Sequence, residues 1–143
     1  MMGSQQGSGE RVRRDLDTLK DAISDERLSR MVAEWTAASV CADAIEPVLR
    51  YFECFPEVDV GMPGPLVHFV EQFRGRGYEQ HLLESLERRP VGHTVWMLNR
   101  LIHGTPSGAV RDRYVRAMSK ARDHPRIDEQ ALAQAEHFLR RLG

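Results

Sequence analysis

Two short spacings in this chain could hold a metal ion or move a proton. His68-x-x-Glu71 and His81-x-x-Glu84 each set an imidazole and a carboxylate three residues apart, which is one face of a helix. A helical two-metal site draws such groups from facing helices. Here His precedes Glu, the reverse of the usual Glu-x-x-His order, and the sequence offers no obvious bridging glutamates. Without a closed ligand set of known spacing, these residues read as surface or half-buried histidines beside solvated glutamates. No metal and no cofactor is expected. Nucleophilic chemistry has less to build on. The chain has no Gly-x-Ser-x-Gly and no phosphate-binding loop, and Cys54 lies near His68 in sequence only. No catalytic residue is assigned, and the chain is not expected to be an enzyme.

Charge offers more than catalysis does. The 143 residues sum to −1, but residues 15–61 carry eleven acids against four bases, whereas residues 62–143 carry nine acids against thirteen bases. A split of that size favours a partner of one sign docking on one half of the molecule. In the basic half, Arg113, Arg116 and Lys120 share a helical face, flanked by Arg111, Arg122 and Arg126. Such a face could track a phosphate backbone, but no aromatic residues interleave it and Asp112 and Asp123 dilute it. Nucleic acid is therefore an unfavoured partner. In the acidic half, Asp43, Glu46, Glu53 and Glu57 fall on one side of a helix, interrupted by Arg50, and Asp59 continues the run into a loop. The expectation is an acidic surface that captures a basic protein, with an ordinary solvated helix face as the plain alternative.

The elements that must position these groups are helices. Nearly every periodic stretch repeats its apolar residues at helical spacing, and none alternates for long at two. Val12, Leu16, Leu19 and Ile23 stripe residues 10–23. Leu28, Met31, Val32 and Trp35 stripe residues 25–40, with Ser24 as N-cap. A third helix starts near Asp43 with Pro47 in its first turn, buries Ile45, Val48, Leu49 and Phe52, and ends at Phe55-Pro56. Pro65 opens a helix striped by Leu66, Phe69, Val70 and Phe73, which Gly75 and Gly77 stop. Further helices are expected over 78–88, from Thr94 to about 103, over 107–122 with Val110, Tyr114, Ala117 and Met118 inward, and over 128–142. The fold class is all-α. It has seven or eight short antiparallel helices, HEAT-like or an irregular bundle, in one domain over residues 10–143, with residues 1–9 as a flexible tail.

Two cysteines are too few for a secreted disulfide framework, and Cys41 and Cys54 read as small core residues. No window approaches a membrane span, and residues 1–9 lack the apolar run of a signal peptide. A cytoplasmic location without membrane contact is the expectation. Trp35 and Trp96 read as structural, with Trp96 nearer the rim of its helix face. Asn99, on the same side as Trp96, is expected to bridge a loop such as 61–64.

One region resembles a known group. Gly64-Pro65-Leu66-Val67-His68 with Glu71, Tyr78-Glu79 with Leu83-Glu84-Ser85, and Thr94-Val95-Trp96-Met97-Leu98-Asn99-Arg100 together resemble small bacterial immunity proteins that partner secreted or contact-delivered toxins. The likeness covers about a third of the chain. It implies a small, cytoplasmic, non-catalytic protein that binds one cognate toxin. The motif residues would be scaffold in such a protein, so no toxin-binding role is carried onto them. Many such toxins cleave nucleic acids through basic clefts. The residues expected to meet the toxin are therefore Asp43, Glu46, Glu53, Glu57 and Asp59.

Overall fold

The computed structural model describes residues 3–19, 24–57 and 64–142. Among them are eight α-helices and no strand: α1 (Gly3–Asp17), α2 (Asp25–Ala37), α3 (Ile45–Cys54), α4 (Pro65–Glu71), α5 (Tyr78–Arg88), α6 (Gly92–His103), α7 (Ala109–Arg122) and α8 (Glu129–Leu142). A 3₁₀ turn, Ala42–Ala44, leads into α3. The all-α class follows from the helical period of the apolar residues. The chain forms two compact units, Met1–His81 and Leu82–Gly143, rather than one undivided bundle, and α5 carries it from one to the other. The first unit holds fourteen acids against nine bases and the second seven against eleven. The charge split read from the sequence therefore follows the division of the fold.

In the first unit, polar side chains tie helices that lie far apart in sequence. Trp35 is fully buried. Its indole N–H donates to Asp15 Oδ2 at 2.7 Å, and its ring meets Phe69 edge-on at 5.1 Å between centroids. The Tyr51 hydroxyl donates to the Leu19 carbonyl, and burial raises the pKa of its phenol. The Gly9 N–H donates to Asp43 Oδ2 at 3.1 Å. Gly9 precedes Leu19 and Asp43 precedes Tyr51, so α1 and α3 run in the same direction. Gly9 also lets them approach: a Cβ there would stand 3.1 Å from the Asp43 carbonyl oxygen. Residues 3–9, read from their composition as a tail, thus lie within α1, and Gly9 is buried.

The end of α2 shows a second departure from sequence expectation. Ser39 occupies the left-handed region at φ 56°. There its N–H reaches the Thr36 carbonyl, while the Val40 N–H reaches the Trp35 carbonyl. This is the paired-bond helix ending that glycine usually serves. At the other end of α2, Ser24 Oγ accepts from the Arg27 N–H at 3.2 Å, as an N-cap should.

In the second unit, α7 and α8 pack on each other and on α6. Side-chain N–H donors close the carbonyl ends of its helices. His124 Nε2 lies 2.7 Å from the Glu87 carbonyl, and Arg126 Nη1 donates to the Arg88 carbonyl at 3.4 Å, both at the end of α5. The Arg126 N–H donates to His124 Nδ1 at 3.0 Å. Nδ1 must accept, so Nε2 carries the ring proton and donates to Glu87. Arg111 Nε donates to the Ile102 carbonyl near the end of α6 at 3.2 Å. Basic groups at these positions also oppose the negative ends of the helix dipoles. Val110, expected inward, is 56% exposed in the first turn of α7.

Candidate partner-binding site

Of the five carboxylates expected on one acidic face, the four among the described residues are not presented as one. Asp43 is half-buried and faces α1 through its bond from Gly9, with Oδ1 buried and without a donor. Glu53 is only 7% exposed. Glu46 is half-buried and pairs with Arg50 at 3.8 Å. Glu57 is exposed in the turn after α3, and Asp59 lies outside the described residues. The stripe assumed a helix with one covered side. In fact Pro47, Tyr51 and Glu53 are buried along with Ile45, Val48, Leu49 and Phe52, so cover wraps most of α3 and absorbs part of the acidic side.

What α3 does present is a groove shared with α1, about 360 Å³ in volume. Buried Leu16, Pro47 and Tyr51 form its floor, and half-buried Phe55 also lines it. The floor is stiff. Tyr51 is held at both its hydroxyl and its ring, which lies 5.3 Å from Phe55, and Pro47 has a fixed φ. Each wall carries one charge of each sign: Arg13 and Asp17 on α1, Glu46 and Arg50 on α3. The order is cation then anion on α1 and anion then cation on α3. Because the two helices run the same way, opposite signs lie across from one another. Cys54, expected in the core, is an exposed free thiol on this groove. Cys41 is half-buried, with Sγ 3.5 Å from the Ser39 carbonyl.

Of these lining residues, the sequence pattern points only to Glu46 as a partner contact. Arg13 and Asp17 bracket inward Leu16 at helical spacing, a signal that was present but not used. Arg50 was seen as an interruption of the acidic stripe and is instead part of the wall.

The other constellations are engaged within the fold. Glu71 takes both His68, at 3.9 Å, and Arg74, at 3.3 Å. Among the described residues no group of three or more His, Cys, Asp or Glu side chains is placed to hold a metal ion. The arginines flanking the α7 basic face are also committed. Arg111 and Arg126 serve carbonyls. Arg122 bonds Asp123 through Nε at 3.1 Å and Nη2 at 3.4 Å, which holds that carboxyl below its usual range. Arg113, Arg116 and Lys120 are exposed, a short patch for tracking a phosphate backbone. Asn99 Oδ1 is buried without a hydrogen-bond partner among the described residues; residues 61–63 of the loop it was expected to bridge lie outside them. Among the described residues no helix is long and apolar enough to cross a membrane.

No protein family, no curated protein and no solved structure matches this chain.

Proposed function

We propose that this chain is a non-catalytic partner-capturing protein of the immunity type, which holds a cognate toxin through the α1–α3 groove. The observation that supports this reading is the groove itself: a stiff apolar floor ringed by two arginines and two carboxylates. Specific protein interfaces share that anatomy, with an apolar centre and a polar rim. The groove sums to no net charge, so recognition rests on the pattern of signs and on the apolar anchor. The partner is therefore a protein that inserts an apolar side chain between flanking charges of both signs. A purely basic cleft of the nuclease kind fits it less well.

The test is protection of growth. The product of the gene beside this one is expressed alone and with this chain. Toxicity of that product, relieved by the parent chain, is the expected result. Cys54→Trp fills the groove from an exposed position and should abolish the relief while the helical circular dichroism stays unchanged. A harmless neighbour, or full protection by the filled variant, removes the reading. A HEAT-like adaptor for some other protein complex would give binding without protection.

A further inference from the structure

We propose that a second copy of this chain also occupies the α1–α3 groove, docked face to face about a two-fold axis that crosses both helices. The inference uses the groove of the proposed function but not its toxin. Arg13 and Asp17 stand one turn apart on α1, and Glu46 and Arg50 one turn apart on α3, so each pair shares one side of its helix with about 6 Å of rise between members. All four line the groove. Arg13, Asp17 and Arg50 are exposed and Glu46 is half-buried. The midpoints of the two pairs are Asp15 and Val48. Hydrogen bonds join the two helices at sequence separations of 34 and 32 residues, and the separation of Asp15 from Val48 falls between these. The midpoints therefore lie level with each other along the groove.

That registry makes the groove complementary to itself. A second groove, turned over about an axis through both midpoints, sets its Asp17 on Arg13 and its Arg50 on Glu46. The same two contacts recur on the other side of the axis, and no like charges meet. A two-fold interface requires this, because one patch must serve both subunits; a face of a single sign would repel its own copy. The rotation also sets each helix antiparallel to its counterpart, which brings unlike dipole ends together. An axis along the groove would match the signs too, but would align all four helices in parallel. Glu46 and Arg50 already pair within α3 at 3.8 Å, so Arg13 and Asp17 carry the distinctive contact. Leu16, Pro47 and Tyr51 are already buried and add little apolar area, so charge holds the dimer and salt weakens it. A dimer of this kind covers the groove, and self-association then competes with capture of any other partner.

The experiment is sedimentation velocity of the full-length chain over a concentration series, at low and at high salt. The expected result is a monomer–dimer equilibrium that shifts toward monomer as salt is raised. Arg13→Glu places a carboxylate against Asp17 of the second copy, and Asp17→Arg places a guanidinium against Arg13. Each variant alone should dimerise at least about tenfold more weakly than the parent. Mixed in equal amounts, the two variants restore every opposite-sign pair across this axis, and the heterodimer should come within a few-fold of the parent. Loss of a merely structural side chain would not be rescued by mixing, and neither would pairing about an axis along the groove. The double variant Arg116→Gln/Lys120→Gln, on α7, should dimerise as the parent does. Four results would overturn the proposal: a monomer at every concentration, a dimer indifferent to salt, a single variant as tight as the parent, or a mixture no tighter than its components. Growth protection is decided separately: a protective chain that never dimerises would keep the toxin reading and end this one.

Discussion

The two units of this chain are built from the same kind of helix but deploy their polar groups in different ways. In the first, side chains bridge helices distant in sequence: Trp35 to Asp15, Tyr51 to Leu19, Asp43 to Gly9. In the second, side-chain N–H donors close helix ends: His124 and Arg126 on α5, Arg111 on α6. The difference teaches how to weigh a charge read from sequence. An acid in the first unit can be part of the packing, as Asp43 is, and a base in the second can be a cap, as Arg126 is. Neither is then simply available to a partner. The surface that remains is the mixed-sign α1–α3 groove.

The sharpest break of this comparison is Trp35→Ala. It removes a fully buried ring and leaves Asp15 without its donor, and should cost about 3–5 kcal/mol by denaturant titration. A loss near 1 kcal/mol would mean that the bridge does not hold the first unit together. Next is Tyr51→Phe, expected to cost about 1 kcal/mol at neutral pH. Its pH dependence is informative. Burial raises the phenol's pKa above the ordinary tyrosine value, so the unfolded chain releases the proton first. Stability from Tyr51 is fully present below that pH and is lost as pH rises toward the folded value. The phenylalanine variant should lack this part of the alkaline loss in melts recorded from neutral to alkaline pH.

His124→Ala tests the second unit. It removes the contact to the Glu87 carbonyl and the acceptor for Arg126, and should cost about 1 kcal/mol. Hydrogen exchange should quicken at the Arg126 amide before any global change. Ser39→Gly should work in the opposite direction, stabilising by about 0.5–1 kcal/mol because φ 56° suits glycine. The smallest effect belongs to Glu26→Gln, which breaks a 3.3 Å pair with Arg30 on an exposed face of α2. It should change stability by no more than about 0.5 kcal/mol.

Helix count, helix class and most of the core were legible in the sequence because helical periodicity is local. The 78–88 helix, the Ser24 cap, and inward Leu28, Trp35, Phe69 and Leu98 all follow from spacing alone. The acidic face failed for a physical reason. A helical wheel gives the direction a side chain leaves its own helix, but not which other helix lies in that direction. Glu53 and Asp43 point where the fold has already placed cover. The groove was hidden for the same reason, since half of it comes from α1, which no local pattern places beside α3.

What the sequence by itself determined is the all-helical class, the breaks at proline and glycine, and the uneven charge along the chain, each set by neighbours within a few residues. Tertiary structure alone decided that α1 and α3 lie side by side in the same direction, that the basic residues near α7 close the ends of other helices, and that Trp96 stays on the rim while Trp35 goes inside. These outcomes depend on contacts between residues as far apart as Gly9 and Asp43 or Glu87 and His124. No local pattern specifies such contacts, because they form only when whole helix faces are buried against one another.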